Sequence, residues 1–158
     1  MYRVGLGFDL HPLVTGRPLW LGGVKIPFEL GLKGHSDADV LLHSLADALL
    51  GAAGLKDIGH RFPSDDQRYK NVSSILLLRE VHDLLISRRY KVVNVDAVII
   101  AQRPRVSPYI EEMVNNISAV LNINPDMVSV KSTTTEGLGV CGRGEAIAAQ
   151  AVVLITRD

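Results

Sequence analysis

The sequence predicts a single-domain α/β (α+β) sandwich, a mixed β-sheet with helices over one face. Three observations predict it. Stretches that are rich in β-branched residues or alternate in polarity stand at the start, middle and end of the chain (YRVGLGFDLH, YKVVNVDAVIIAQ, AIAAQAVVLITR), and such stretches form strands. Between them lie segments whose apolar residues recur at helical spacing, among them SDADVLLHSLADALLGAA and SSILLLREVHDLLISRR. The 158 residues, 47% hydrophobic and 22% charged, suffice for one well-buried core and show no linker, internal repeat or low-complexity tract.

The first strand is expected to end near His11. PLWLGGVKIPF then has two short apolar arms about Gly22 and Gly23, the pattern of a hairpin. A helix follows over residues 37–53, with Ser36 as N-cap, Asp39 imitating a capping box and Gly54 as the stop. The polar segment LKDIGHRFPSDDQRYKN is a long loop, and loops of that size are often functional. A second helix covers residues 72–89, and the central strand starts at Tyr90. Ser107 followed by Pro108 opens a third helix that runs to about Leu121. MVSVKST and AIAAQAVVLITR close the chain as strands joined by TTEGLGVCGRGE. With a single layer of helices, the opposite sheet face needs cover, and strands this apolar suggest that a second subunit supplies it.

Composition narrows the function. The 17 basic and 17 acidic residues cancel, whereas a protein that binds duplex nucleic acid through phosphates carries a basic excess. One cysteine excludes an intrachain disulfide and a CxxC zinc ribbon. The N-terminus runs directly into a strand without a signal-peptide layout, and no apolar run reaches the length of a membrane span. A cytoplasmic protein is expected.

Polar residues placed against this apolar background carry the chemistry. Asp9 and His11 sit two apart on a strand and therefore point to one side. His43 lies in an apolar helix between leucines, where an imidazole needs a partner. Together the three form a one-carboxylate, two-histidine set that leaves a fourth tetrahedral position of zinc open. Alternatively, His43 is a core histidine satisfied by Asp39 or Asp47, four residues to either side, and spacing does not separate the two readings. His35 and Ser36 precede the same helix, where a phosphate could meet first-turn amides. Ser132 to Glu145 combines three threonines with four glycines, without a Walker A or GxGxxG pattern. Within it, Glu136 suits a hard cation that bridges to phosphate oxygens. His82 is expected to be solvated, His60 has no evident partner, and Cys141 has no adjacent base.

The motifs GFDLH, GHSDADVLLH, DIG followed by FPSDD, AQRPR and STTTEGLG with GRGE occur in an order that resembles the 2-C-methyl-D-erythritol 2,4-cyclodiphosphate synthase family along nearly the whole chain. The resemblance implies zinc, or another divalent transition metal, on Asp9, His11 and His43, and magnesium or manganese on Glu136 and the substrate diphosphate. It implies that His35 and Thr134 stabilise the transition state. Asp57, Ile58, Gly59, Phe62 and Asp66 match the loop that holds the methylerythritol part, together with Ser36. Ala101, Gln102, Arg103, Pro104, Arg105, Val106 and Ser107, with Thr133, Thr134, Thr135 and Glu136, match a cytidine and diphosphate pocket completed by the adjacent subunit of a homotrimer. Val140 and Arg143 match positions at the threefold axis. Ser64, Arg105 and Val140 depart from the family's usual aspartate, lysine and aromatic.

The activity so implied is closure of a cyclic diphosphate from a cytidine-diphosphate-linked substrate with loss of CMP. It needs no serine or cysteine nucleophile, since the substrate carries its own phosphate anion. Two other functions use the same residues: a metal-dependent phosphohydrolase, and a non-catalytic trimeric binder of isoprenoid phosphates.

Overall fold

A computed structural model describes residues 1–63 and 65–157, so Ser64 lies outside the described residues. The strands are β1 (Tyr2–Val14), β2 (Leu19–Leu21), β3 (Val24–Ile26), β4 (Gly31–Leu32), β5 (Tyr90–Ile100), β6 (Val128–Thr133) and β7 (Ala146–Arg157). The helices are α1 (Val40–Ala53), α2 (Ile58–Arg61), α3 (Ser74–Ser87), α4 (Ile110–Leu121) and α5 (Gly139–Gly142). A five-stranded sheet has the order β4-β1-β7-β5-β6, and β2 with β3 forms a separate hairpin. β5 and β6 run parallel while the other pairs in the large sheet are antiparallel, so the sheet is mixed as expected. α1 packs on β1 and β7, α3 packs on α1, and α4 packs on β6 and α3. No helix among the described residues is long and apolar enough to cross a membrane.

Alternation along β1 divides its side chains between two faces. Tyr2, Val4, Leu6 and Phe8 point away from the helices and are 71%, 67%, 61% and 57% exposed, whereas Gly5 and Gly7 face α1. A Cβ on Gly5 would lie 1.9 Å from the carbonyl oxygen of Ala48, and one on Gly7 1.8 Å from that of Ser44. The glycines thus let the helix backbone rest on the strand. Each step of two along β1 moves about one turn back along α1. Asp9 therefore meets the helix at its next turn, where His43 stands. Gly7→Ala is expected to cost about 3 kcal/mol through overpacking, lowering Tm by roughly 6–12 °C. An unchanged melting curve would show that strand and helix separate freely.

Several boundaries differ from expectation. β1 continues beyond His11 through Pro12, which sits opposite Ala146, to Val14, where it pairs with the two-residue β4. Proline there needs no ladder donor of its own. The N-cap of α1 is Asp39, not Ser36: its carboxylate accepts from the amide of Leu42 (3.1 Å) and from those of Gly22 (3.0 Å) and Gly23 (2.8 Å), tying the hairpin to the helix. Burial, and then the charge of Asp37, push the Asp39 carboxyl up to about 6. α3 begins at Ser74, and residues 107–109 form a 3-10 turn before α4. The loop of residues 55–71 contains α2 and a further turn at Gln67–Tyr69.

Candidate active site and metal centre

Asp9 and His11 on β1 and His43 on α1 converge. Asp9 Oδ2 lies 2.9 Å from His11 Nε2 and 3.0 Å from His43 Nδ1, and the two nitrogens are 3.3 Å apart. His11 Nδ1 is 2.7 Å from the carbonyl oxygen of Lys33. A carbonyl only accepts, so the proton of the neutral ring is on Nδ1 and Nε2 offers a lone pair. Burial opposes ionisation of Asp9, but hydrogen bonds and charge from His11 and His43, when those rings carry a proton towards it, outweigh it and hold its carboxyl well below the usual carboxylate range. For His11, burial disfavours the cation, but Asp9 prevails and raises its pKa.

This donor set fits a divalent cation. Ligands about 2.0–2.1 Å from a tetrahedral zinc stand roughly 3.3–3.4 Å from one another, close to the spacing found here, and three protein ligands leave one position for substrate. Neither Asp39 nor Asp47 takes the other nitrogen of His43. Asp39 is occupied as the helix cap, and Asp47 Oδ1 accepts from the amide of Ile58 at 2.7 Å. Nε2 of His43 instead faces the hydroxyls of Ser74 (3.0 Å) and Ser36 (3.1 Å).

The three residues open into a cavity of about 310 Å³, also lined by His35, Ser36, Asp47, Ile58, Gly59, Phe62, Tyr69 and Leu77. Most of the residues expected to hold a small polyol are therefore beside the candidate metal centre. His35 donates from Nε2 to the carbonyl oxygen of Asp66 (3.0 Å), and its own carbonyl accepts from the amide of Asn71 (2.8 Å). Phe62 and Tyr69 meet edge to face at 5.2 Å. Asp57 caps α2 and pairs with His60 (2.9 Å), the partner that the sequence did not reveal. Asp66 binds Arg68 at 2.6 Å, and this ion pair lowers its pKa. His82 is half-buried rather than solvated, and burial lowers its pKa. The first-turn amides expected to receive a phosphate are not all free, because Asp39 closes the turn. Asp47, Tyr69, Leu77, Asp37 and Ser74 were not among the expected site residues. Asp47 alone had a sequence signal, its place on the face of α1 that carries His43.

The second group of motifs forms another cavity of about 310 Å³, lined by Ala101, Gln102, Arg103, Pro104, Arg105, Val106, Ser132, Thr133 and Thr134. Parallel pairing of β5 with β6 aligns the two strand ends, and the amide of Ala101 donates to the carbonyl of Thr133 (3.0 Å). Gln102 Oε1 accepts from the amide of Gly137 (3.2 Å), and Arg105 Nε donates to Ser107 Oγ (2.9 Å). Ser107 thus orients an arginine and is not a side-chain helix cap. Thr135 Oγ1 donates to the carbonyl of Leu138 at 2.5 Å. Glu136 is exposed, with left-handed φ of 54°, and its amide donates to Thr134 Oγ1 (3.2 Å). Arg143 pairs with Glu145 (2.7 Å), and Val140 is 40% exposed. No described residue lines both 310 Å³ cavities, so His35 and Thr134 stand in separate cavities.

A model of the YgbB family matches residues 2–156. The 2-C-methyl-D-erythritol 2,4-cyclodiphosphate synthase of Moorella thermoacetica is 60% identical over 153 residues, 97% of this chain and 94% of that protein. The synthase of Methylobacillus flagellatus is 57% identical over 157 residues, 99% of this chain and 98% of that protein. Among solved structures, the bifunctional IspDF of Campylobacter jejuni superposes with a TM-score of 0.96 at 41% identity, covering 100% of this chain and 43% of its own. IspF of Plasmodium falciparum in complex with CDP gives a TM-score of 0.87 at 38% identity, covering 99% of this chain and 97% of its own.

Proposed function

Because this chain belongs to the YgbB family, and with it to the 2-C-methyl-D-erythritol 2,4-cyclodiphosphate synthases, we infer that its two cavities are the halves of a phosphoryl-transfer site. The protein converts 4-diphosphocytidyl-2-C-methyl-D-erythritol 2-phosphate to 2-C-methyl-D-erythritol 2,4-cyclodiphosphate and CMP. An oxygen of the 2-phosphate attacks the β-phosphorus; the bond from that phosphorus to the oxygen bridging it to CMP breaks, and CMP leaves with the electron pair. The observation that carries this reading is the convergence of Asp9 Oδ2, His11 Nε2 and His43 Nδ1 beside a cavity sized for a small polyol phosphate.

The nucleophile is already an anion, so the chain has no proton to remove before attack. Its task is to fold a flexible, highly charged substrate and to neutralise its phosphates. Ile58, Gly59 and Phe62 line the pocket for the carbon chain, with Asp57 and Asp66 on the same loop. Ser36 and His35 lie beside the phosphate under attack. Ala101 to Ser107 take the cytidine, a role supported by the CDP complex of the Plasmodium falciparum protein. Thr133, Thr134 and Thr135 contact the diphosphate, and Thr134 joins His35 in stabilising the transition state. Glu136 offers an exposed carboxylate beside threonine hydroxyls, the oxygen donors a hard cation prefers. Bound divalent cations supply Lewis acidity: zinc or another transition metal on Asp9, His11 and His43, and magnesium or manganese on Glu136. The enzyme is a phosphorus–oxygen lyase that depends on these metals.

The whole chain acts as a single domain in a cytoplasmic homotrimer. The halves meet across subunits, with Val140 and Arg143 near the threefold axis. The buried single Cys141 suits a reducing compartment.

Phosphorus NMR of the protein with substrate and magnesium, with and without chelator, tests the reaction. Cyclic diphosphate plus CMP, abolished by chelation, is the expected result. CMP with an acyclic product would indicate hydrolysis instead, and an untouched substrate would indicate a binding protein. For Glu136→Gln we expect unchanged zinc content but a rate that no longer responds to added magnesium. A preserved response would remove Glu136 from the second metal site.

A further inference from the structure

His43 can serve the metal centre only if its Nδ1 carries no proton, and the groups behind the ring favour that state. Ser74, the first residue of α3, is 1% exposed, and its Oγ is 3.0 Å from His43 Nε2. The same hydroxyl donates its one hydrogen to Asp37 Oδ1, while the amide of Ser74 donates to Asp37 Oδ2 at 2.9 Å. With that hydrogen committed to a carboxylate, Ser74 Oγ can only accept from His43. The hydroxyl thus favours a proton on Nε2, against Asp9 Oδ2, which accepts from Nδ1 at 3.0 Å until a cation takes that oxygen and leaves Nδ1 its lone pair. Ser36 Oγ, 3.1 Å from Nε2, accepts from the amide of Ala38 but commits its hydrogen to no other group among the described residues, so by itself it permits either tautomer.

We propose that Ser74 and Asp37 are positioning residues that set the tautomer of His43 for metal binding. The inference rests on the metal centre of the proposed function. It also ties that centre to the substrate loop, since the amide of Asp37 donates to the carbonyl of Val72 (3.1 Å) at the loop's end. A ligand-orienting partner of this kind is typically worth 10–100-fold in metal affinity.

Two measurements on the full chain test it: zinc affinity by competition with a chromogenic chelator, and long-range proton–nitrogen correlation of the histidine rings in metal-free, nitrogen-15 histidine-labelled protein. Wild type is expected to show His43 with a proton on Nε2. Ser74→Ala should lose that preference and bind zinc 10–100-fold more weakly, while Ser74→Thr, which keeps the hydroxyl, should restore both. Asp37→Asn is a sharper variant. If the amide oxygen keeps the bond from the Ser74 amide, its NH₂ faces Ser74 Oγ and turns the hydroxyl hydrogen towards His43. The proton should then move to Nδ1 and zinc affinity should fall. Ser74→Ala with wild-type affinity and a wild-type ring pattern would overturn the inference alone. A wild type that takes up no zinc would overturn the metal centre and this inference with it.

Discussion

Replacement of His43 by alanine is expected to abolish bound zinc and reduce CMP release about 10³-fold, with the fold retained. The rate figure follows from losing several kcal/mol of charge stabilisation at a phosphate, with about 1.4 kcal/mol per factor of ten. Folding should survive for local reasons. Position 43 lies inside a helix rich in alanine and leucine, and alanine is the strongest helix former. The groups behind the ring keep partners after its removal, since Ser74 Oγ still donates to Asp37 and Ser36 Oγ still accepts from the amide of Ala38. In front, Asp9 retains His11 at 2.9 Å. Zinc content per chain, a melting curve and a CMP assay on the same preparation check the prediction together. A full complement of zinc in His43→Ala would remove this residue from the centre, and loss of folding would mean that the ring is structural first.

The candidate metal ligands were legible in the sequence for a simple reason. The strand period of two puts Asp9 and His11 on one side from spacing alone, and an imidazole among leucines on a helix announces that it needs a partner. Their meeting was not legible, because it depends on Gly5 and Gly7 letting α1 rest on β1, a contact no local pattern encodes. β7 matched its expected residues 146–157, since its apolar alternation is long and the glycine-rich loop before it is abrupt. The start of α1 was misjudged because Ser36 and Asp39 are both good caps. What selects Asp39 is a pair of hairpin amides from Gly22 and Gly23, far away in sequence. Ser74 left no trace in the sequence beyond a serine at a helix start. Its contact with His43 arises where α3 packs on α1.

The double substitution Leu6→Glu with Phe8→Glu is expected to yield a folded monomer that binds zinc but has lost most of its turnover. These side chains belong to an outward row on β1, continued by Leu10 at 39% exposure and by Val152 on the neighbouring β7 at 43%. Apolar rows of this extent on a sheet face mark interaction surfaces, and Glu at corresponding positions of three packed sheets would bring like charges together in a poorly solvated interior. Within one chain the substitutions should change little, because Leu6 and Phe8 are 61% and 57% exposed and exposed positions usually stay within about 0.5 kcal/mol. Zinc should remain, since Asp9, His11 and His43 come from a single chain and lie on the opposite face of β1. Turnover should fall by about 10³-fold, because the two cavities are separate within a chain and, in the proposed function, a subunit interface joins them. Light scattering should report three times the chain mass of 17.2 kDa for wild type and a single chain mass for the variant. A monomeric variant with full activity would show that one chain completes its own site, and a variant that stays trimeric would move the interface to another surface.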